Sequence, residues 1–402
     1  MLSQVFARPW IANTGMKVLK RLTASRQPLL DPDRNWVLNR ILRAVLYDHF
    51  CGGWERNQIQ RCLTRVKNVG YAGVILQYAR EIVAHDLAES SSVVDISAQQ
   101  IQKWHEGNMQ TLSMLGAGDY MAIKFTGAGG KVAEALKTGA NPPEQVTKAL
   151  DELCATAKAK DTRVLVDAEE QIFQPTIDRW AVDLMRKYNQ DGDAYILNTY
   201  QAYLKCTPRV VRDHLRLAGQ EGWTMGIKLV RGAYILIETR SLIHDTKPET
   251  DACYDGVIRE VLTRSSGDVH GAHFPRVRLL AAGHNAHSIR QASTLRKEML
   301  RAGVNSGPLE FGQLYGMADH VSGELLAQSE AAKRTQGLSA EERKLQEDAA
   351  PRVLKCVNWG SVRECLGFLN RRAAENSGST DRLLDGLEAS KKELWARILR
   401  RA

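Results

Sequence analysis

The sequence predicts a closed parallel (β/α)8 barrel, and three observations carry that expectation. Short apolar runs recur from about residue 70 onward at intervals of roughly 30 to 50 residues. Eight such runs are present, with helix-patterned connectors between them. Each run is nearly continuous in apolar character rather than alternating, as expected of strands buried on both faces. The same units arranged as an open doubly wound sheet are the alternative.

Residues 1–35 read as an N-terminal extension. Arg8, Lys17, Lys20, Arg21 and Arg26 precede the first acid, Asp31, a bias shared by mitochondrial targeting segments and by plain basic termini. Residues 36–66 carry a helical pattern that covers one side of the barrel. The barrel itself is expected over 67–385, with strands at Gly73–Leu76, Met121–Phe125, Arg163–Asp167, Ala194–Asn198, Gly226–Val230, Val277–Ala282, Leu309–Gly312 and Val353–Val357. Between the last two strands, residues 329–348 are rich in Lys, Arg, Glu and Gln and read as an exposed helical connector. A helical tail over 386–402 closes the chain.

Composition narrows the function. The formal charge of +9 over 402 residues is moderate and scattered, without the basic block or aromatic interleaving of a nucleic-acid surface; an anionic membrane surface is equally compatible with it. Cys51, Cys62, Cys154, Cys206, Cys253, Cys356 and Cys365 are odd in number and far apart, which argues for reduced thiols rather than a disulfide framework. His284 and His287 lack the accompanying ligands of a zinc motif, and no metal is expected. No run reaches the roughly 18 apolar residues of a membrane-spanning helix.

In a (β/α)8 barrel the functional groups gather at the carboxyl ends of the strands. That rule selects Lys124, Asp167, Asn198 to Gln201, Lys228 to Tyr234, and His284 with Asn285. A lysine facing the barrel interior needs an acid or a ligand anion to offset its desolvation, and Asp167 on the next strand is a partner for Lys124; an ammonium reaching water at a strand end explains it equally. Lys228 admits both readings. The His284–Asn285 pair can orient a ligand, or simply cap a loop. Gly127-Ala128-Gly129-Gly130-Lys131 has the spacing of neither phosphate-binding glycine motif, and a glycine-rich turn explains it without a ligand. Near the end of the chain, Val362, Cys365, Leu366 and Leu369 form an apolar helical stripe, followed by Arg371, Arg372 and, one turn beyond Arg371, Glu375. Two adjacent guanidiniums make a clamp for a carboxylate or phosphate, although a solvated charged face has the same pattern.

Taken in order, several separated motifs resemble the proline dehydrogenase family over roughly residues 36–380. They are Ala122-Ile123-Lys124-Phe125-Thr126, Val166-Asp167-Ala168-Glu169, Thr199-Tyr200-Gln201-Ala202-Tyr203, Ile227-Lys228-Leu229-Val230-Arg231-Gly232-Ala233-Tyr234, Gly283-His284-Asn285-Ala286-His287, Gln313-Leu314-Tyr315-Gly316-Met317, and Arg371-Arg372 with Glu375-Asn376. Asp48-His49-Phe50-Cys51-Gly52-Gly53 is similar to the fungal mitochondrial branch.

The resemblance implies a distorted barrel with its last helix over the mouth and noncovalent FAD. It implies oxidation of L-proline to Δ1-pyrroline-5-carboxylate, with a membrane quinone as acceptor. Lys124, Arg371 and Arg372 would hold the substrate carboxylate, Asp167 would orient them, and Leu314 would pack on the ring. Lys228 would sit beside flavin N5, and Gln201, Val230, Gly232, Ala233, Lys247, His284, Asn285 and Glu375 would line the cofactor path. The implied location is the matrix side of the inner mitochondrial membrane. One departure stands out: Cys356 occupies the position where many relatives place a tyrosine over the substrate ring, as the related hydroxyproline dehydrogenases do with a small residue. Another is Ile235, where bacterial relatives carry an aromatic. Outside the resemblance, a buried lysine also fits a Schiff-base lyase, and a catalytically silent barrel fits the fold.

Overall fold

Runs of Val, Ile and Leu flanked by turn residues form eight parallel strands that close on themselves. The computed structural model describes residues 27–79, 94–235, 237–334 and 336–376, together with Val18, Leu19, Arg21, Leu22 and Ser25. Only the backbone is described for 94–96 and 371–376. The strands are β1 (Gly73–Tyr78), β2 (Tyr120–Ile123), β3 (Arg163–Val166), β4 (Ile196–Gln201), β5 (Met225–Val230), β6 (Val277–Ala282), β7 (Leu309–Leu314) and β8 (Arg352–Trp359). They pair in chain order, and β8 returns to β1 with Ile75 opposite Cys356 and Gln77 opposite Asn358. The barrel is the closed alternative, not the open sheet.

The two-residue period of a strand sorts side chains to two cores. Outward-facing Val74, Leu76, Met121, Ile123, Val164, Val166, Ile227 and Leu229 join the surrounding helices in one large apolar cluster. Inward-facing Ile75, Tyr120, Ala122, Leu165, Leu197, Leu280 and Leu354 fill the barrel waist. Both faces are therefore buried, which is why the runs read as continuous.

The segment expected to be helical over 36–66 is interrupted. Helical turns run from Trp36 to Phe50, with a π-helical stretch at Arg43–Tyr47, and a second helix spans Arg56–Asn68. Between them Gly53 adopts φ 123°, a conformation that favours glycine. This break lets Gly52 N–H donate to the Asn358 carbonyl at 2.7 Å, fastening the segment to the end of β8. The connector before β8 holds two helices, Asp319–Ala332 and Ala340–Ala349, and the latter buries no residue. The glycine-rich turn after β2 is explained by packing: a Cβ on Gly129 would lie 2.2 Å from the Gln100 side chain. Among the described residues no helix is long and apolar enough to cross a membrane.

Candidate active site

At the carboxyl end of the barrel lies a cavity of about 500 Å³, within the roughly 300–1,000 Å³ typical of small-molecule sites. Its floor is small or apolar: Ile75, Ala168, Ala282 and Gly312. Its walls hold Lys124, Asp167, Gln201, Lys228, Val230, Gly232, Ala233, Lys247, His284, Leu314 and Cys356. Eleven of the residues expected from the sequence therefore meet around one space.

The inner-face period explains how they meet. Lys124 follows Ala122 by two residues, Asp167 follows Leu165, and Lys228 lies within β5, so each points inward above the apolar waist. β2 ends at Ile123, placing Lys124 just beyond the strand instead of inside it. Lys228 Nζ donates to Asp167 Oδ1 at 2.5 Å, and both side chains are largely buried. The other carboxylate oxygen of Asp167 accepts from Gln77 Nε2 at 2.6 Å. The acid beside Lys124 in sequence order thus pairs with Lys228. Lys124 Nζ donates to the Tyr234 hydroxyl at 2.9 Å.

The Gln201 side chain acts as a brace. Its Nε2 donates to the Glu169 carbonyl at 3.1 Å and its Oε1 accepts from Ala233 N–H at 3.0 Å, fixing the loop after β5. Within that loop Gly232 has φ 155°, and a Cβ there would overlap the Tyr203 ring at 1.6 Å. Only glycine fits. His284 Nε2 accepts from Leu314 N–H at 3.1 Å, tying the loop after β6 to the end of β7.

One end of the cavity meets the start of a helix. The helix Lys247–Thr263 starts there, capped reciprocally by Thr246 and Glu249, and Thr246, Lys247 and Thr250 line the wall. A helix N-terminus presents unpaired N–H groups and a partial positive charge. Arg231 lies alongside, held by Asp251 at 2.6 Å and Ser288 at 2.8 Å, with its guanidinium 4.2 Å from the Tyr254 ring centroid. Burial pushes the Asp251 carboxyl up, but Lys247 and Arg231 outweigh burial and hold it below its usual range. Two polar atoms of wall residues, Thr199 Oγ1 and His244 Nε2, are buried without a hydrogen-bond partner, the condition of groups whose partner is a ligand.

Asn285 does not line this cavity; it caps the helix Ala286–Arg301, its Oδ1 accepting from His287 N–H at 3.0 Å. Phe368, on the helix Val362–Asn376, reaches the cavity wall, so the last helix does lie at the mouth. Arg371, Arg372 and Glu375 belong to its final turns, and their side chains lie outside the described residues. Sequence reasoning missed Gln77, and it placed Thr199 and Tyr234 at strand ends without giving either a role. Gln77 had a usable signal: it stands one residue past the apolar run Gly73–Leu76, on the same face as Ile75.

A closed (β/α)8 barrel whose carboxyl-end cavity gathers two lysines, a buried carboxylate and a helix N-terminus defines a barrel enzyme. The chain matches the proline dehydrogenase family model over residues 59–384 and belongs to that family of oxidoreductases. It is 28% identical to a probable mitochondrial proline dehydrogenase of Schizosaccharomyces pombe, across 90% of this chain and 82% of the relative. It is 27% identical to the hydroxyproline dehydrogenase of Rattus norvegicus, across 90% of this chain and 83% of the relative. Identity to the human mitochondrial proline dehydrogenase 1 is 33%, over 63% of this chain but only 38% of that one. The fold is shared with proline utilization A from Bdellovibrio bacteriovorus, at a TM-score of 0.68 and 16% identity, covering 97% of this chain and 39% of the other.

Proposed function

We propose that this protein oxidises L-proline to Δ1-pyrroline-5-carboxylate at the barrel mouth, with FAD as its redox group and a membrane quinone as electron acceptor. The single observation that supports this most is the Lys228–Asp167–Gln77 array, a cation fixed by a buried carboxylate in the wall of a ligand-sized cavity. Membership of the family sets the reaction class. The donor set suits a flavin dinucleotide. The Lys247–Thr263 helix N-terminus with Arg231 and Lys247 offers a diphosphate site, and unpartnered Thr199 Oγ1 and His244 Nε2 offer further hydrogen bonds.

FAD, when bound, would accept a hydride from the ring carbon beside the proline amine and release two electrons to the quinone. The chain's own groups do the rest. Lys228 offsets the negative charge that the accepted electrons bring. Gln201 holds the Ala233 loop and would lend its amide to the flavin edge, while Val230, Gly232, Ala233, His284 and Glu375 would shape the cofactor path; Asn285, set back from the cavity, fixes the start of the helix behind His284. Lys124, Arg371 and Arg372 bind the substrate carboxylate. Phe368 stands three and four residues before the two arginines, a spacing that shares one helix face. Asp167 positions Lys228, and Leu314 packs on the proline ring. The relatives named mitochondrial support a mitochondrial location, and the proposed quinone acceptor would put the site on the matrix side of the inner membrane.

A second substrate is favoured by Cys356, which lines the cavity and packs beside the barrel-waist cluster. A small side chain there leaves room for a 4-hydroxylated ring, in keeping with the hydroxyproline dehydrogenase relatives. Anaerobic absorbance of the purified protein tests both readings. L-proline is expected to bleach bound flavin, and trans-4-hydroxy-L-proline is expected to do so at a comparable rate. Protein without flavin, or flavin that neither substrate reduces, overturns the dehydrogenase. A rate ratio unchanged by Cys356→Tyr overturns the role of Cys356.

A further inference from the structure

Of the twelve large apolar side chains exposed among the described residues, seven fall between residues 18 and 54. Four of them stand on one continuous helical run. Trp36 is 76% exposed and Ile41 54%, with Val37 and Val45 also exposed. Val37, Ile41 and Val45 repeat every four residues, so they form a single stripe. An adjoining side of the same run buries Leu42 and Tyr47 in one apolar cluster with Val362, Cys365, Leu366 and Leu369 of the last helix. The run is therefore apolar well beyond the side that packs on the last helix, a pattern that belongs to helices covered on more than one side, yet among the described residues Trp36, Val37, Ile41 and Val45 stay exposed.

The charges beside the stripe are positive. Arg34 and Arg40 are exposed at its edge, and the preceding 30 residues carry five basic residues and no acid. The acids between residues 18 and 54 are Asp31, Asp33 and Asp48. Asp31 is buried and paired with Arg363 at 2.9 Å, Asp33 is half-buried, and Asp48 is paired with Arg43 at 2.9 Å. A second copy of this +9 chain would bring like charge to the stripe. Apolar residues between arginines, with exposed tryptophans at Trp36 and Trp54, match the chemistry of an interfacial helix.

The stripe also has a fixed place relative to the cavity. The Tyr47 hydroxyl donates to the Gly360 carbonyl at 2.6 Å, and Gly52 N–H donates to Asn358 at the carboxyl end of β8. Phe368 of the helix underneath lines the cavity. From these observations we propose that the Trp36–Val45 stripe is the surface by which the protein docks on an anionic lipid membrane, bringing the barrel mouth alongside the bilayer. The inference rests on the proposed quinone acceptor for its purpose, since a lipid-soluble acceptor resides in that bilayer.

Flotation of the full chain with phosphatidylcholine vesicles, with and without phosphatidylglycerol, tests the docking. The wild type is expected to float with the anionic vesicles and to remain behind with the neutral ones. The triple variant Trp36→Ser, Ile41→Ser, Val45→Ser is expected to bind about tenfold more weakly. It should keep its far-UV circular dichroism and its proline-dependent reduction of a soluble dye, and lose rate only with a vesicle-embedded quinone. Arg40→Glu, a single exposed change, should weaken anionic binding in the same direction and covers the case of a triple variant that does not fold. Equal flotation of wild type and both variants overturns the proposal. So does a wild type that ignores anionic vesicles, or a dimer that the variants dissociate in the absence of lipid. Vesicle binding needs no turnover, so a protein that fails to oxidise proline leaves this result standing by itself.

Discussion

The two ends of the barrel are built from the same kinds of side chain and put them to opposite use. At the amino end Arg163, Arg278 and Arg352 enter at or near the starts of β3, β6 and β8 and meet Asp193 and Glu310. Arg278 reaches Asp193 at 2.8 Å and Glu310 at 3.2 Å. Arg352 reaches Glu310 at 2.9 Å, and the Tyr120 hydroxyl donates to the same carboxylate. Burial pushes the Asp193 carboxyl up, but Arg278 and Arg163 outweigh it and leave it below its usual range. At the carboxyl end Lys124, Asp167 and Lys228 stand around a cavity. A single inner face shows the gradient: Arg163 and Leu165 on β3 with Asp167 just past its end; Glu310, Gly312, Leu314 on β7. Charge matched by charge makes a plug, whereas charge placed beside open volume makes a binding site.

That contrast assigns each end its own observable. The largest effect is expected at the plug. Glu310→Gln removes the charge that Arg278 and Arg352 share and should cost roughly 3 kcal/mol of unfolding free energy. This is the low end for a broken buried pair, because Arg352 is half exposed and Arg278 keeps Asp193. Chemical denaturation measures it, and KM for proline should stay put. Next comes the mouth. Lys228→Met should lower kcat/KM for proline by about 10²–10³ with a smaller loss of stability, since Asp167 borders the cavity and can be rehydrated. If Lys228→Met unfolds the protein as severely as Glu310→Gln while sparing kcat/KM, the division between the ends is wrong. Gln77→Leu sharpens the comparison within the mouth. It removes one of the two side-chain donors to Asp167, leaving Lys228, and should cost about tenfold in kcat/KM, with an unchanged denaturation midpoint.

How far the sequence could be read follows from the same gradient. All eight strands are found where apolar runs placed them, but four extend further: to Tyr78 rather than Leu76, Gln201 rather than Asn198, Leu314 rather than Gly312, and Trp359 rather than Val357. The added residues include Gln77, Gln201, Gln313 and Asn358. Strand ends turn polar where the mouth begins, so a reading based on apolar continuity stops one layer short of the chemistry. Lys124, Asp167 and Lys228 were legible because a charge inside or against an apolar run stands out. Arg163, Arg278, Glu310 and Arg352 carry that same signal at the opposite end, which sequence alone reads with less purpose because no ligand is expected there. Tyr234 and Thr199 were legible as strand-end positions but not in their roles, because the Lys124–Tyr234 contact depends on the loop geometry set by Gly232 and the burial of Thr199 on register between strands.

Two titrating groups lie behind β4, outside both ends, and give the smallest and most discriminating prediction. Burial raises the Asp178 carboxyl to about 6, although Asn198 and Gln174 donate to it at 2.7 and 2.8 Å. Burial also lowers His214, hydrogen-bonded to the Tyr200 hydroxyl at 2.7 Å, to about 4. The signs oppose one another. An acid with a raised folded value contributes stability at low pH that is lost as pH climbs from 3.8 through about 6. A histidine with a depressed folded value contributes stability above 6.5 that is lost as pH falls toward about 4. In the wild type the two slopes largely cancel between them. Asp178→Asn keeps an oxygen acceptor for both amides and removes one slope, so unfolding free energy should rise by on the order of 1–2 kcal/mol from pH 4 to pH 6.5. The pH profile of proline turnover should not move, because neither group reaches the cavity. A turnover profile that shifts with Asp178→Asn would mean that the chemistry at the mouth is coupled to the layer behind β4.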